Sequence, residues 1–476
     1  MSFDSSPLIG RGGPAADLII SRVRALDPVA GIDGVYDLVV RGGRIEALAE
    51  PGSAADAAGS GGAAGRAGAA DAAGSAATEL IDGEGLTAFP GFFDPHVHLR
   101  TPGQEHKEDL QTGTRAAAAG GYCGVIAMAN TSPPVSTPAD IAALRERAAT
   151  QASIPVGFLA TATVGMAGEE LTEMVALRQA GAIGFSDDGL PIRDAAIMRR
   201  VLQYQRMCGG NLALHEEEPA LSADGVMHEG EVSAILGLAG IPAASERVQV
   251  ERDIALAEFE GGRIHLQHLS CAESVAAVRA AKARIAAGET PEGFAVTAEA
   301  TPHHLCLTDE AVRSLDPARF KMNPPLRSEA DRQALLEGLR DGTVECVATD
   351  HAPHAPEDKQ VPFEQAAMGV TGLEVAFAAL HTELVLGGAI GLELLVDRLA
   401  GGAEPFGIAR PSLAVGSEAN VALCDLGMEW VPGAEGYESR STNCWCDGRR
   451  LTGRPVVTLA AGRIAYRLRS FSVGAV

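Results

Sequence analysis

Eight short apolar runs, each followed by polar residues and then by a helix-length segment rich in Ala, Leu and Glu, recur between residues 89 and 412. They read GFFDPHVH, GVIAMAN, PVGFLATAT, AIGFSDD, NLALHEE, RIHLQHLS, FAVTAEATPHH and VECVATDHAPH. Such alternation builds parallel βα units, because two parallel strands need a crossover long enough to hold a helix. Eight units of this length fit a (β/α)8 TIM-type barrel better than an open doubly wound sheet. Seven of the eight runs finish on a side chain with chemistry to offer: His96 and His98, Asn130, Asp188, His215, His268, His303 and His304, and Asp350. In a barrel these strand ends converge on one C-terminal face, so the residues are expected around a single pocket.

The flanks have a different texture. DLVVRGGRIEALA and TELIDGEGLTAFPG near the start, and NVALCDL and RPVVTLAAGRIAYRL near the end, are short apolar runs bounded by Gly, Asp and Pro, the marks of strands and turns. They predict a small β domain assembled from both chain termini, residues 15–88 and 413–476, beside a catalytic barrel at 89–412. Residues 52–78 are almost wholly Ala, Gly and Ser, which bury too little apolar area to offset ordering, and are expected as a flexible insertion.

A formal charge of −24 argues against nucleic acid and anionic membranes as partners. No stretch approaches the roughly 18–20 apolar residues of a membrane span, and the N-terminus lacks a secretory pattern, so a cytoplasmic location is expected. The eight cysteines form no CxxC array and read as buried small residues in a reducing compartment, Cys444 and Cys446 as sheet-facing ones. If the substrate is an anion, the pocket has to reverse the global sign locally.

His96 and His98 are one residue apart and project from one side of a strand. A lone strand histidine is more often a satisfied core residue, but a pair at a strand's end can bind one metal ion. With Asp188, His215, His268 and Asp350 the set has four His and two Asp, suited to zinc or a similar metal. Six ligands exceed one tetrahedral zinc, so either a carboxylate bridges two ions or some members support the others. Arg100, two residues past His98, offers a fork for a carboxylate. GxSxG, GxxxxGK[ST] and GxGxxG motifs are absent from the sequence, which leaves acyl-enzyme, NTPase and hydride-transfer chemistry without their parts.

These motifs resemble the dihydroorotase family of the amidohydrolases. DPHVHLRTPG at 94–103 and ATDHAPHAPEDK at 348–359 look like its two signatures, and MANT, FSDDG, TPHHL and KMNPPLR stand between them in the family's order. The resemblance implies that His96, His98 and Asp350 hold one zinc, His215 and His268 a second, with Asp188 bridging and Asp187 structural. Related hydantoinases and allantoinases bridge with a carbamylated lysine, and Ser186, Asp187 and Asp188 offer none here. Arg100, Asn130 and His354 would grip the substrate carboxylate, Asn323 would contact the ring, and Arg100, His354 and the ions would form a local positive basin. Asp350 would shuttle the proton in zinc-dependent, reversible hydrolysis of (S)-dihydroorotate to N-carbamoyl-L-aspartate, a step of de novo pyrimidine synthesis.

His303, His304 and His351 are expected to support the site rather than ligate, and Glu216, Glu217 and Glu218 are more acids than the family usually places after this histidine. Gly369 and Gly372 lie near the mouth. The alternatives are an allantoinase- or hydantoinase-like enzyme, or an inactive scaffold for aspartate carbamoyltransferase, the latter disfavoured by the intact ligand set. A homodimer, with possible association with aspartate carbamoyltransferase, is the expected assembly.

Overall fold

The computed structural model describes residues 7–56, 78–314 and 316–471. Most of the Ala/Gly-rich insertion, residues 57–77, lies outside the described residues.

The barrel strands are Phe92–Val97, Tyr122–Ala127, Val156–Ala160, Gly184–Phe185, Leu212–Leu214, Arg263–Leu266, Ala295–Ala300 and Cys346–Val347. They are neighbours in chain order, and the described pairs are parallel. The ring closes where Val97 bridges His351 in parallel and the His98 N–H donates to the His351 carbonyl at 2.9 Å. Side-chain alternation sorts each strand into two faces. Val125 and Ala127 pack outward with the helix residues Leu110 and Ile141, whereas Ile126 and Met128 join Phe93, Leu159 and Ile183 in a separate inner cluster. Caps start the helices cleanly: Thr137 accepts from the Asp140 N–H and Asp140 answers at the Thr137 N–H, so Pro138–Gln151 begins at its proline.

The strands from the two chain ends form one sheet. Its order is Arg463–Arg467, Leu451–Ala460, Val421–Trp430, Thr87–Pro90, Leu18–Asp27, Ile32–Arg41 and Arg44–Ala49, with Glu79–Asp82 lying parallel to Leu18–Asp27. Val421 pairs with Pro90 and Leu423 with Ala88, so residues more than 300 apart in the chain are adjacent. Ile20, Val23, Val40, Val421 and Val457 make a core separate from that of the barrel.

The cysteines differ in part from expectation. All eight are free, but Cys208 and Cys306 are only half-buried. Cys444 and Cys446 belong to no named strand; Cys444 forms an isolated parallel bridge with Thr371, and Cys446 lies in the turn that follows, which buries Trp445 among Met322, Leu326 and Val370. No helix among the described residues is long and apolar enough to cross a membrane.

Candidate metal centre

The strand ends bring the six proposed ligands together. Asp188 is the hub: its Oδ1 is 3.6 Å from His96 Nε2 and 3.8 Å from both His215 Nδ1 and His268 Nε2, and its Oδ2 is 3.5 Å from His98 Nε2. Asp350 Oδ1 stands 3.0 Å from His98 Nε2 and 3.5 Å from His96 Nε2. Two buried triplets, His96–His98–Asp188 and Asp188–His215–His268, each keep their ligand atoms within 4.8 Å of one another and share Asp188. Atoms bound to one zinc at about 2.0–2.2 Å stand roughly 3–4 Å apart, so both triplets fit a metal ion.

Asn130 explains how His98 is presented. The His98 Nδ1–H donates to Asn130 Oδ1 at 2.9 Å, which turns Nε2 toward the carboxylates, and Asn130 Nδ2 donates to Asp188 Oδ2 at 3.0 Å. The local charge follows from these contacts. Burial alone would raise the Asp188 and Asp350 carboxyls, but the surrounding histidines outweigh it and hold both below the usual carboxylate range. Burial opposes charge on His96 too, yet Glu299, Asp350 and Asp188 lift it well above an ordinary imidazole. Carboxylates converge here on whatever positive charge the centre contains.

Strain marks the same ring of residues. Of the seven described non-glycine residues with positive φ, three are Arg100 at 53°, His268 at 32° and Asp350 at 45°. Such backbones cost about 1–3 kcal/mol each and persist where surrounding contacts over-determine them.

A cavity of about 260 Å³ opens above the cluster, lined by Arg100, Asn130, Asn323 and His354 together with ligands from both triplets. A larger one of about 770 Å³, between residues 8–18 and the terminal sheet, is remote from the His/Asp cluster, so the chemistry belongs to the smaller. Arg100 reaches the cavity, but not by strand alternation: the strand ends at Val97, and its left-handed backbone carries it there. Its Nε donates to the Pro353 carbonyl at 3.1 Å, which anchors the fork. Asn323 Nδ2 donates to Glu217 Oε2 at 2.7 Å. His354 departs from the positive basin expected of it. Burial, then Arg100, Lys107 and Lys359, push its imidazole down to about 3, so the ring is neutral at ordinary pH, and Arg100 is the Arg or Lys side chain lining the cavity.

Asp187 accepts from the Ala162 N–H at 2.7 Å and from the Thr163 N–H at 3.2 Å, holding the loop beneath Asp188. His304 bonds Thr301 Oγ1 at 2.8 Å and the Pro324 carbonyl at 3.0 Å. His303 is fully buried, with neither ring nitrogen hydrogen-bonded. His351 lies 3.4 Å from Glu108 Oε2.

Three contributors escape sequence reading. Glu299 receives His96 Nδ1 at 2.6 Å, and the only signal for it is an acid inside an otherwise apolar strand run. Glu217 receives His215 Nε2 at 3.0 Å as well as Asn323, and its place two residues after a histidine ligand is the available clue. Asn443, far along the chain, accepts the His354 N–H at 3.1 Å and donates to the Ala352 and Gly369 carbonyls, also at 3.1 Å, with no local signal.

An eight-stranded parallel barrel with a buried His/Asp cluster at its C-terminal mouth, beside a sheet made from both termini, defines the class of the cyclic amidohydrolases. The profile described as Dihydro-orotase-like matches residues 85–274. Dihydroorotase of Anaeromyxobacter dehalogenans strain 2CP-C is 42% identical over 451 residues, covering 94% of this chain and 98% of that protein. Dihydroorotase of Pelotomaculum thermopropionicum is 42% identical over 453 residues, covering 95% and 99%. Among solved structures, L-hydantoinase (dihydropyrimidinase) from Arthrobacter aurescens has the same fold, with a TM-score of 0.78 at 24% identity over 97% of this chain and 98% of that one. The chain belongs to the dihydroorotase family.

Proposed function

We propose that this protein catalyses the reversible hydrolysis of (S)-dihydroorotate to N-carbamoyl-L-aspartate. The observation that carries the reading is one cavity holding both a shared-carboxylate pair of metal-ligand triplets and an anchored Arg100 fork. His96, His98 and Asp350 would hold one zinc ion and His215 and His268 a second, with Asp188 available to both. Ions bound there lower the pKa of water towards about 7 and polarise the ring carbonyl.

The side chains do the remainder. Arg100 takes the substrate carboxylate in a bidentate pair. The neutral His354 adds a polar contact to it once it turns from its present partner, Asn130 borders the same pocket while still holding His98 and Asp188, and Asn323 meets the ring. Asp350 takes a proton from the attacking water and delivers it to the departing ring nitrogen as the ring C–N bond breaks; the reverse path runs the condensation. An Asp at the bridging position, with no lysine at 186–188, favours this substrate over a hydantoin. On this reading residues 89–412 form the catalytic unit, and 15–88 with 413–476 support it.

The test is turnover of L-dihydroorotate, allantoin and hydantoin by protein of known metal content. Dihydroorotate alone is expected to turn over, with activity lost on chelation and restored by zinc. Preference for another ring, or chelator-insensitive turnover, overturns the proposal.

A further inference from the structure

The seventh barrel strand carries a carboxylate that the proposed reaction does not use. Glu299 is fully buried, and three donors converge on it. Its Oε1 accepts from His96 Nδ1 at 2.6 Å and from the backbone N–H of His268 at 3.2 Å, and its Oε2 accepts from His265 Nε2 at 2.9 Å. His96 belongs to one ligand triplet and His268 to the other. His268 also holds a backbone conformation that residues other than glycine rarely adopt, with φ at 32°, so a bond to its N–H helps to fix where the ring points.

We propose that Glu299 is a positioning residue that ties the two halves of the centre together, so that the affinity of both metal sites depends on this one buried carboxylate. The inference rests on the two-metal reading above. A metal on His96 Nε2 leaves Nδ1 protonated, and a carboxylate accepting that proton fixes the tautomer and the ring plane and makes the ring a stronger donor. Loss of such a partner typically costs about 10–100-fold in metal affinity. Because the same oxygen also holds the His268 main chain, the loss extends to the second site.

The substitution that isolates this role is Glu299→Gln, which keeps the shape and one carbonyl acceptor for His96 and His268. Its new amide meets His265, whose Nδ1 lies 2.8 Å from Thr297 Oγ1 and can donate there after a tautomer change. Zinc content and zinc dissociation constants, read by chelator competition, are compared between the native chain and E299Q. The melting temperature of the metal-free proteins and the visible spectra of their cobalt-substituted forms complete the set. The native chain is expected to hold two ions, and E299Q to bind both about 10–100-fold more weakly, with a near-native metal-free melting temperature and an altered cobalt spectrum. Native affinity in E299Q, or weakening at one site alone, overturns the inference. A native chain that holds fewer than two ions instead overturns the two-metal reading, a separate result. If E299Q does not fold, Glu299→Asp decides: its shorter reach gives up at least one donor, so binding about 10-fold weaker supports the proposal and native affinity overturns it.

Discussion

The floor of the metal centre and its rim are built by different means. On the floor, His96 projects from a barrel strand, His98 follows directly on that strand's end and His268 lies two residues past the end of its own, all buried, their rings or main chains tied to Glu299 or Asn130. On the rim, Arg100, Asn323 and His354 come from loops beyond the strand ends and are secured by the Pro353 carbonyl, the Glu217 carboxylate and Asn443. A floor fixed by strands and buried carboxylates holds ligand geometry tightly, whereas a rim fixed by loops can be altered without moving the metal.

If this division is sound, floor and rim substitutions separate in what they damage. The largest effect is expected from Asp350→Ala, which on the proposed mechanism removes a metal ligand and the proton shuttle together. Steady-state kinetics should show kcat down by about 10³-fold or more, with metal content reduced. Next comes Arg100→Ala. Losing a charge-assisted pair worth about 1.5–3 kcal/mol should raise KM about 10–100-fold, while metal analysis shows both ions retained; loss of metal in this variant breaks the comparison.

Glu217→Gln probes the seam between the regions, since that carboxylate holds both His215 and Asn323. It should lower kcat/KM for dihydroorotate by about 5-fold, near the 1 kcal/mol of one ordinary hydrogen bond. The last effect is on stability, not turnover: a pH dependence. Folding holds His354 at about 3, below the usual imidazole value, so the unfolded chain binds a proton that the folded one refuses, and stability falls as pH drops from about 6.5. His354→Asn should therefore lose about 2 kcal/mol less than the native chain between pH 7 and pH 5 in urea melts, because this group's acid-linked loss is gone.

Legibility follows the same line. Eight βα runs, six of them ending in His or Asp, announce the barrel and the side chains gathered at its mouth, because strand ends of one barrel face share one destination. The terminal sheet is legible as strand texture, but not the pairing of Thr87–Pro90 with Val421–Trp430, which no local pattern encodes. Glu299 is hidden because an acid within an apolar run reads as an outward-facing residue until three donors are seen to converge on it. His354 is legible as a cavity residue but not as a neutral one, since its charge is set by Arg100, Lys107 and Lys359 arriving from elsewhere in the chain.

The sheet shared by the two ends also governs when a newly made chain can become an enzyme. The first barrel strand follows directly from Thr87–Pro90, whose antiparallel neighbour is Val421–Trp430, and the loop bearing His354 waits for Asn443. These contacts span most of the sequence, and such distant pairings form late because their loop-closure entropy comes first. Without the segment bearing Asn443 the βα units can still collapse, and Arg100 and Asn323 keep their partners, but the His354 loop lacks its Asn443 bonds. The catalytic mouth is therefore complete only once that segment has joined it, and a chain truncated near residue 420 keeps the His/Asp cluster but lacks the residue that holds the His354 loop.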